Sequence, residues 1–350
     1  MKTMITSIEI RDFRGIASGR LDGLMPLTVL TGPNACGKSA VLDALLIGAS
    51  EGVVAACSWA VQRHPLSLSG ARWLVRSLQD RAYIIVGFDN GSTWERRLRA
   101  SRLDAQPSAG NRRGPREAVH LAVSQRFHSV GEDEKKNRVL QVDLNFSAEN
   151  HLLGWTEGPE LGVLVSGESI RLSDPGVAES LHSRFSELKK ANRLSALADL
   201  MRPLVPGFKT FEILTDGDLP SLYIDSGVGS VPLAMSGDGV QAFAQLAMEI
   251  SAAAASGGPL LIEEPEVYQH PRAIQQSAKA LVAGLREGVQ IVMTTHSLEL
   301  IDALVDEASE SDLEKMGLFN LSLNNGELRS SRRVGDELRF ARQELERDLR

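Results

Sequence analysis

Residues 27–49, LTVLTGPNACGKSAVLDALLIGA, constrain the fold more than any other stretch. Leu27 to Thr31 is an apolar run that reads as a buried strand. It breaks at Gly32-Pro33, and a helix is expected from about Lys38, with Val41, Leu42, Leu45, Leu46 and Ala49 on one face. Between them lies Gly32-x-x-x-x-Gly37-Lys38-Ser39, the phosphate-binding-loop pattern in the strand–loop–helix context it requires. The glycines let backbone N–H groups of Asn34, Ala35, Cys36 and Ala40 turn around a phosphate without Cβ clashes. The helix N-terminus adds positive partial charge. Lys38 can neutralise β/γ oxygens, and the Ser39 hydroxyl can ligate Mg²⁺. A Gly-rich turn without function is the structural alternative.

Two further strand ends carry chemistry. Pro259-Leu260-Leu261-Ile262-Glu263-Glu264 is an apolar strand closed by two carboxylates. Adjacent residues at a strand end point to different sides, so Glu263 can hold Mg²⁺ while Glu264 polarises a water. Ile291 to Ser297 is a third apolar strand that ends at His296, which could donate a hydrogen bond to a terminal phosphate. Leu233 to Gln241 opens a helix at about 239. Ser236, Gly237 and Gly239 there suit an anion, and a plain helix cap by Ser236 or Asp238 is the alternative.

The remaining chain supplies the frame. Residues 4–10 and 16–21 read as strands around Arg11-Asp12-Phe13-Arg14-Gly15. Residues 83–88 and 93–98 read as a hairpin around Asp89-Asn90-Gly91-Ser92, and 139–146 as another strand. Residues 51–80 read as helix and loop, with Trp73, Leu74 and Leu78 at helical spacing. Asp174-Pro175 reads as the start of a helix running to about Met201, with Leu181, Phe185, Leu188, Leu197 and Met201 as its apolar stripe. Phe208–Leu214 and Leu222–Asp225 are strands. Helices at 239–255, 271–287 and 297–308 alternate with the strands at 259–263 and 290–295. A short hairpin at Asn324-Asn325-Gly326 and a charged helix over 335–350 close the chain.

The net charge of −7 excludes a global pull toward nucleic acid, so DNA contact needs a local basic patch. Residues 94–138 supply one candidate, with 11 basic and 6 acidic residues. Within it, the Arg-rich stretch 96–116 reads as a mobile loop that is either merely solvated or a nucleic-acid or partner surface. Cys36 and Cys57 form no disulfide framework or metal spacing. There is no signal-peptide core and no apolar run long enough to span a membrane, so a cytoplasmic protein without membrane contact is expected.

Together FRG at 13–15, GPNACGKS at 32–39, MSGDG at 235–239, LLIEEPEVYQHP at 260–271 and TTHS at 294–297 resemble the RecF/SMC/OLD branch of ABC-type ATPases, most closely the OLD-type ATPases. The resemblance implies an α/β P-loop NTPase with an ABC/SMC-like head: a mixed-sheet core, an antiparallel β lobe and a helical insertion. It implies a single discontinuous head over 1–350, with 1–50 and 230–325 as nucleotide-binding core. Residues 80–147 are then the β lobe with the Arg-rich loop, 174–205 the helical insertion and 326–350 a C-terminal helix. It makes Lys38 and Ser39 Walker A, Glu263-Glu264 Walker B, Ser236-Gly237 the signature, His296 the switch histidine and Arg14 an arginine that reaches the phosphates. The catalytic set is then Glu264, His296 and Lys38, with Ser39 and Glu263 on the metal.

The sequence departs from that pattern at Glu263, where Asp is usual, and at His270, where many ABC proteins carry Asp. Gln62 and Gln125 are weak candidates for the Q-loop glutamine. The resemblance implies ATP and Mg²⁺ as cofactors, a homodimer closed across ATP, and a role in DNA repair or anti-phage defence. Only about fifty residues follow His296, so a nuclease or toxin effector is expected on a separate polypeptide. A non-hydrolysing ATP switch is the alternative, and a small-molecule kinase a weaker third, since it leaves the signature and His296 without a role.

Overall fold

The computed structural model describes residues 3–63, 69–77, 81–103, 118–128, 139–157, 171–173, 181–217, 219–344 and 348. Strands β1 (Ile5–Phe13) and β2 (Ile16–Asp22) form a hairpin, followed by β3 (Leu27–Thr31), α1 (Lys38–Ala49) and α2 (Val53–Gln62). Next come β4 (Ala82–Phe88), β5 (Thr93–Leu103), β6 (Ala118–His128), β7 (Val139–Phe146), β8 (Leu152–Glu157) and the short β9 (Arg171–Ser173). Helices α3 (Leu181–Lys190) and α4 (Leu194–Met201) precede β10 (Thr210–Asp216), β11 (Leu219–Asp225) and β12 (Ser230–Pro232). The chain then alternates α5 (Asp238–Ser256), β13 (Leu260–Ile262), α6 (Pro271–Arg286), β14 (Ile291–Thr294) and α7 (Leu298–Glu307). It continues through α8 (Glu310–Leu313), β15 (Met316–Asn324), β16 (Glu327–Val334) and α9 (Asp336–Arg339).

One 13-stranded sheet runs β8-β7-β6-β5-β4-β1-β2-β16-β15-β3-β14-β13-β9, and a second has the order β10-β11-β12. From β15 to β9 every pairing is parallel, whereas β4 to β8 pair antiparallel. Side-chain alternation divides the parallel strands between two cores. Leu27 and Val29, Leu260 and Ile262, and Ile291 and Met293 pack with α5, α6 and α7. Leu30, Leu261 and Val292 face α1 and the hairpin strands on the other side. Helices therefore cover both faces, which is why these strands read as unbroken apolar runs. The α/β head expected from the sequence is the fold.

Several local readings change. Helix α1 is buried on nearly every side, not along one stripe: Asp43, Ala44, Ile47 and Gly48 are buried as well. A Cβ on Gly48 would lie 2.6 Å from Ile84 Cγ2, so this glycine lets the helix sit against β4. The helix expected to reach Met201 is two helices among the described residues. Asn192 ends α3 at φ 57°, and the N–H of Arg193 bonds the Leu188 carbonyl, a left-handed C-terminal cap. The start proposed at Asp174-Pro175 lies outside the described residues, as does Leu78. Trp73 belongs to a short 3₁₀ turn (Gly70–Leu74) and is 56% exposed, with the Arg72 guanidinium 4.3 Å above its ring.

Within 326–350, read as a C-terminal helix, the described residues are helical only over 336–344, inside the charged helix expected over 335–350. Residues 327–334 form β16, which pairs with β15 through the Asn325-Gly326 turn and with β2. Its pattern, one buried Leu328 among exposed Arg and Ser, is that of a strand with one solvated face, which charge content alone disguises. Only α9 and a π turn (Phe340–Glu344) follow it among the described residues.

The basic patch also divides. Arg96 is fully buried: its guanidinium donates to the carbonyls of Ile47 (3.3 Å) and Ser50 (2.6 Å) at the end of α1. Burial lowers its pKa to about 9, with Cys57 and Glu51 opposing; burial likewise raises the Cys57 thiol to about 12. Arg112, Arg113 and Arg116 lie outside the described residues. No described helix is long and apolar enough to cross a membrane.

Candidate functional site

β3, β14 and β13 lie side by side and parallel, so the segments that follow them emerge at one edge of the sheet. That edge is where open α/β sheets bind ligands. A cleft of about 290 Å³ opens there, lined by Asn34, Ala35, Gly37, Lys38, Ser39, Ala40, Glu264 and His296, with Gly15, Ile16 and Leu323. Three strand-end motifs, spread along the sequence from Asn34 to His296, thus share one cavity.

The loop around the cleft is shaped by backbone that only a few residues tolerate. Gly32 has φ 136°, and a Cβ there would lie 2.4 Å from the Leu321 carbonyl oxygen. Gly37, at φ 100°, is the N-cap of α1 and offers no side chain, so the first-turn N–H groups meet no capping oxygen. Ala35 adopts φ 62° without being glycine. Cys36 is buried and packs its sulfur against the loop. Lys38 is buried too, and its Nζ donates to the carbonyls of Gly32 (2.9 Å) and Pro33 (3.1 Å). The ammonium is held at the loop, so an incoming phosphate has only to exchange with these two carbonyls.

Glu263 and Glu264 diverge as strand geometry demands. The Ser39 hydroxyl donates to Glu263 Oε1. Glu264 lies across the cleft at φ 42°, its N–H donating to Thr294 Oγ1 at 3.2 Å. Its Oε1 is 3.5 Å from His296 Nε2, and both side chains are about one third exposed. A residue in the left-handed region costs about 1–2 kcal/mol, and such outliers gather at functional sites. The hydroxyl of Ser39 and the carboxylate of Glu263 form an oxygen-only donor pair. Together these fit Mg²⁺, which takes one or two protein ligands and fills its shell with water and phosphate.

Four predicted positions lie elsewhere. Ser236, Gly237 and Gly239 do not line the cleft. Gly237 is the N-cap of α5 without a side-chain bond, so neither Ser236 nor Asp238 caps that helix. Gly239 comes close to the 263–270 loop, where its Cβ would lie 3.0 Å from the Tyr268 carbonyl. Arg14, expected at the phosphates, instead places Nη2 2.7 Å from Asp43 Oδ2 and donates to the Ala60 carbonyl at 2.9 Å. It is the neighbouring Gly15 that reaches the cleft. Burial lowers the Arg14 pKa; Asp43 opposes that shift and Arg63 adds to it. His270 is the N-cap of α6, its Nδ1 accepting from the Arg272 N–H at 3.3 Å, which accounts for it structurally.

Three residues near the site were not anticipated. Glu266 Oε1 accepts from Thr295 Oγ1 (2.7 Å) and from the His296 N–H (2.9 Å), which fixes the histidine loop. Arg63 pairs with Asp43 and with Glu263. The one available signal was Asp43 itself, a lone carboxylate in an otherwise apolar helix, which must find a cation if buried.

The fold and the motif order define the class: an ATPase head of the ABC/SMC/OLD kind. The head of an SMC protein, solved as SmcHead bound to the C-winged helix domain of ScpA, superposes with a TM-score of 0.52 at 10% identity, over 95% of this chain and 98% of that one. A family model described as "AAA domain, putative AbiEii toxin, Type IV TA system" matches residues 115–302, more than half of the chain, and the chain belongs to that family. The uncharacterized protein MJECL11 of Methanocaldococcus jannaschii is 35% identical over 94 residues, 27% of this chain and 82% of that protein. The Old nuclease of Escherichia phage P2 is 34% identical over 64 residues, 18% of this chain and only 11% of the nuclease.

Proposed function

We propose that the protein hydrolyses ATP with Mg²⁺ and uses the cycle to bring two copies of itself together and release them. The observation that carries the reading is the single cleft that gathers Lys38, Ser39, Glu264 and His296. Gly32 to Ala40 would cradle the phosphates, and Ser39 with Glu263 would hold Mg²⁺. Bound there, Mg²⁺ supplies charge neutralisation on the phosphate oxygens. Glu264 is the base for the attacking water, and His296, 3.5 Å away, is placed to hand a hydrogen bond to the reacting group.

The dimer follows from what the cleft lacks. Ser236, Gly237 and Gly239 lie outside it, yet the uncapped N-terminus of α5 offers N–H donors to an anion. A second copy related by a two-fold axis would bring that end over the first copy's nucleotide. Exposed apolar side chains beside it, Met235 (79%) and Tyr268 (64%), are the surface such a contact would cover. We read residues 1–50 and 230–325 as the nucleotide core, 80–147 as the lobe and 174–205 as the insertion. We further propose that a separately encoded nuclease or toxin, and DNA contacted through the Arg-rich stretch, are what the switch controls. The partial match to the Old nuclease supports a role in anti-phage defence or DNA repair.

Glu264→Gln should retain ATP binding and lose turnover by about 10²-fold or more, whereas Lys38→Ala should lose binding. Sedimentation of Glu264→Gln should show a dimer with Mg-ATP and a monomer without it. A wild-type protein that hydrolyses ATP while remaining monomeric at micromolar concentration would sink the dimer reading.

A further inference from the structure

Glu263 carries one methylene more than an aspartate, so its carboxylate has an extra rotatable bond to fix before it can hold a cation. The structure fixes it at both oxygens. Oε1 accepts from the Ser39 hydroxyl, and Oε2 pairs with the guanidinium of Arg63. The Arg63 side chain is 2% exposed, and its Nη1 lies 2.9 Å from Asp43 Oδ1. Asp43, fully buried, takes Arg14 Nη2 on its other oxygen at 2.7 Å. Four charged side chains therefore run in sequence, Arg14–Asp43–Arg63–Glu263. They come from the turn after β1, from α1, from the C-cap of α2 and from the end of β13.

We infer that Arg63 is a positioning residue for the metal: it clamps Glu263 Oε2 so that Oε1 faces Ser39, and Asp43 with Arg14 holds Arg63 in place. The inference rests on reading Ser39 and Glu263 as the oxygen donors to Mg²⁺. It gives the long acid at this position its compensation, since the clamp removes the freedom that the added methylene introduces. It also gives Arg14 a different task from contacting phosphate. A guanidinium suits the task because its planar fork serves two carboxylates at once, which a lysine ammonium does with poorer geometry. The charges alternate in sign along the chain, and buried pairs are tolerated only when every member is matched. A cation beside Oε2 also withdraws that oxygen from the metal, leaving Oε1 as the donor.

The test is a Mg²⁺ titration of the binding of a fluorescent ATP analogue to the full chain, with a parallel arm in EDTA. In EDTA, wild type, Arg63→Lys and Arg63→Gln should bind alike within about twofold. With Mg²⁺, Arg63→Gln should need about tenfold more metal for half-maximal effect, with Arg63→Lys in between. Glu263→Asp, too short to reach Arg63, should show the same shift by itself, and adding Arg63→Gln to it should change nothing more.

A folded Arg63→Gln with the wild-type Mg²⁺ requirement, or shifts that add in the double variant, would overturn the inference. If Arg63→Gln does not fold, Arg63→Lys decides: a shift of several-fold supports the clamp, and none refutes it. Failure of the wild type to bind nucleotide in either arm would instead refute the nucleotide reading itself.

Discussion

The parallel region of the large sheet and its antiparallel lobe obey different rules. In β3, β13 and β14 every residue is buried, because helices lie on both faces. In β6, buried residues alternate with half-buried ones along most of the strand. The first pattern leaves no side chain free for chemistry within the strands, so all of it collects where they end: at Gly32, Glu263 and Thr295. The second pattern leaves an open face but no such edge, and among the described residues the lobe contributes none to the cleft. Among the described residues it shares an apolar core with the phosphate-loop helix, and Arg96 holds the far end of that helix. Burial thus decides where function can sit, and the described part of the lobe meets the phosphate-loop helix through packing and the Arg96 hydrogen bonds.

Matched substitutions on the two sides should break this division if it is wrong. Gly32→Ala forces a Cβ to within 2.4 Å of the Leu321 carbonyl at φ 136°, so it should abolish binding of an ATP analogue, by about 10²-fold or more, and lower the melting temperature. Leu144→Ala, in the fully buried side of the lobe, should cost about 2–5 kcal/mol in denaturant unfolding. Its folded fraction should nevertheless bind the analogue as wild type does. A folded Leu144→Ala protein unable to bind would place the lobe inside the site.

A smaller effect separates the two regions by pH. Asp312 is buried on the core side and accepts from Arg286 (2.8 Å) and Ser309 (2.6 Å). Burial pushes its carboxyl up, but those bonds outweigh it and hold the pKa at about 2, below the usual 3.8. A depressed acid contributes stability above about pH 4 that is lost as pH falls toward about 2, here roughly 1–2 kcal/mol. Asp312→Asn should lower stability at about pH 6 and flatten its decline between about pH 4 and pH 2, measured by chemical denaturation. The smallest effect should come from Ala35→Gly. Relief of φ 62° is set against the greater chain entropy of glycine, for a net gain of up to about 1 kcal/mol with nucleotide affinity held within a few-fold. A loss of stability would mean that the loop does not strain Ala35.

How much of this was legible follows from the range of each contact. The phosphate loop, the Glu263-Glu264 strand end and the alternation of helices and strands from 238 onward are local patterns, and the structure brings them together. The end of α3 at Asn192 is local too, but one left-handed residue is a weak signal inside an apolar stripe. The hairpin turn at Asn324-Asn325-Gly326 was legible, but the extent of the strand 327–334 was not, because one buried Leu328 among arginines and serines gives little periodicity. The partners of Arg14 and Arg63 were beyond reach. Arg63 meets a carboxylate 200 residues later, and nothing in QRHP says so.

The position of β3 has a consequence for how the chain comes to be folded at all. Its two neighbours in the sheet are β14 and β15, so its five buried residues find a partner only when residues 291–294 and 316–320 exist. At about 5–20 residues per second of synthesis, that interval lasts roughly 15–60 s. For that time a short, apolar, partly β-branched segment has no strand to pair with. The same contacts that put three strand ends around one cavity also make the chain late to close. Its yield should therefore depend on what shields LTVLT while the ribosome finishes the rest.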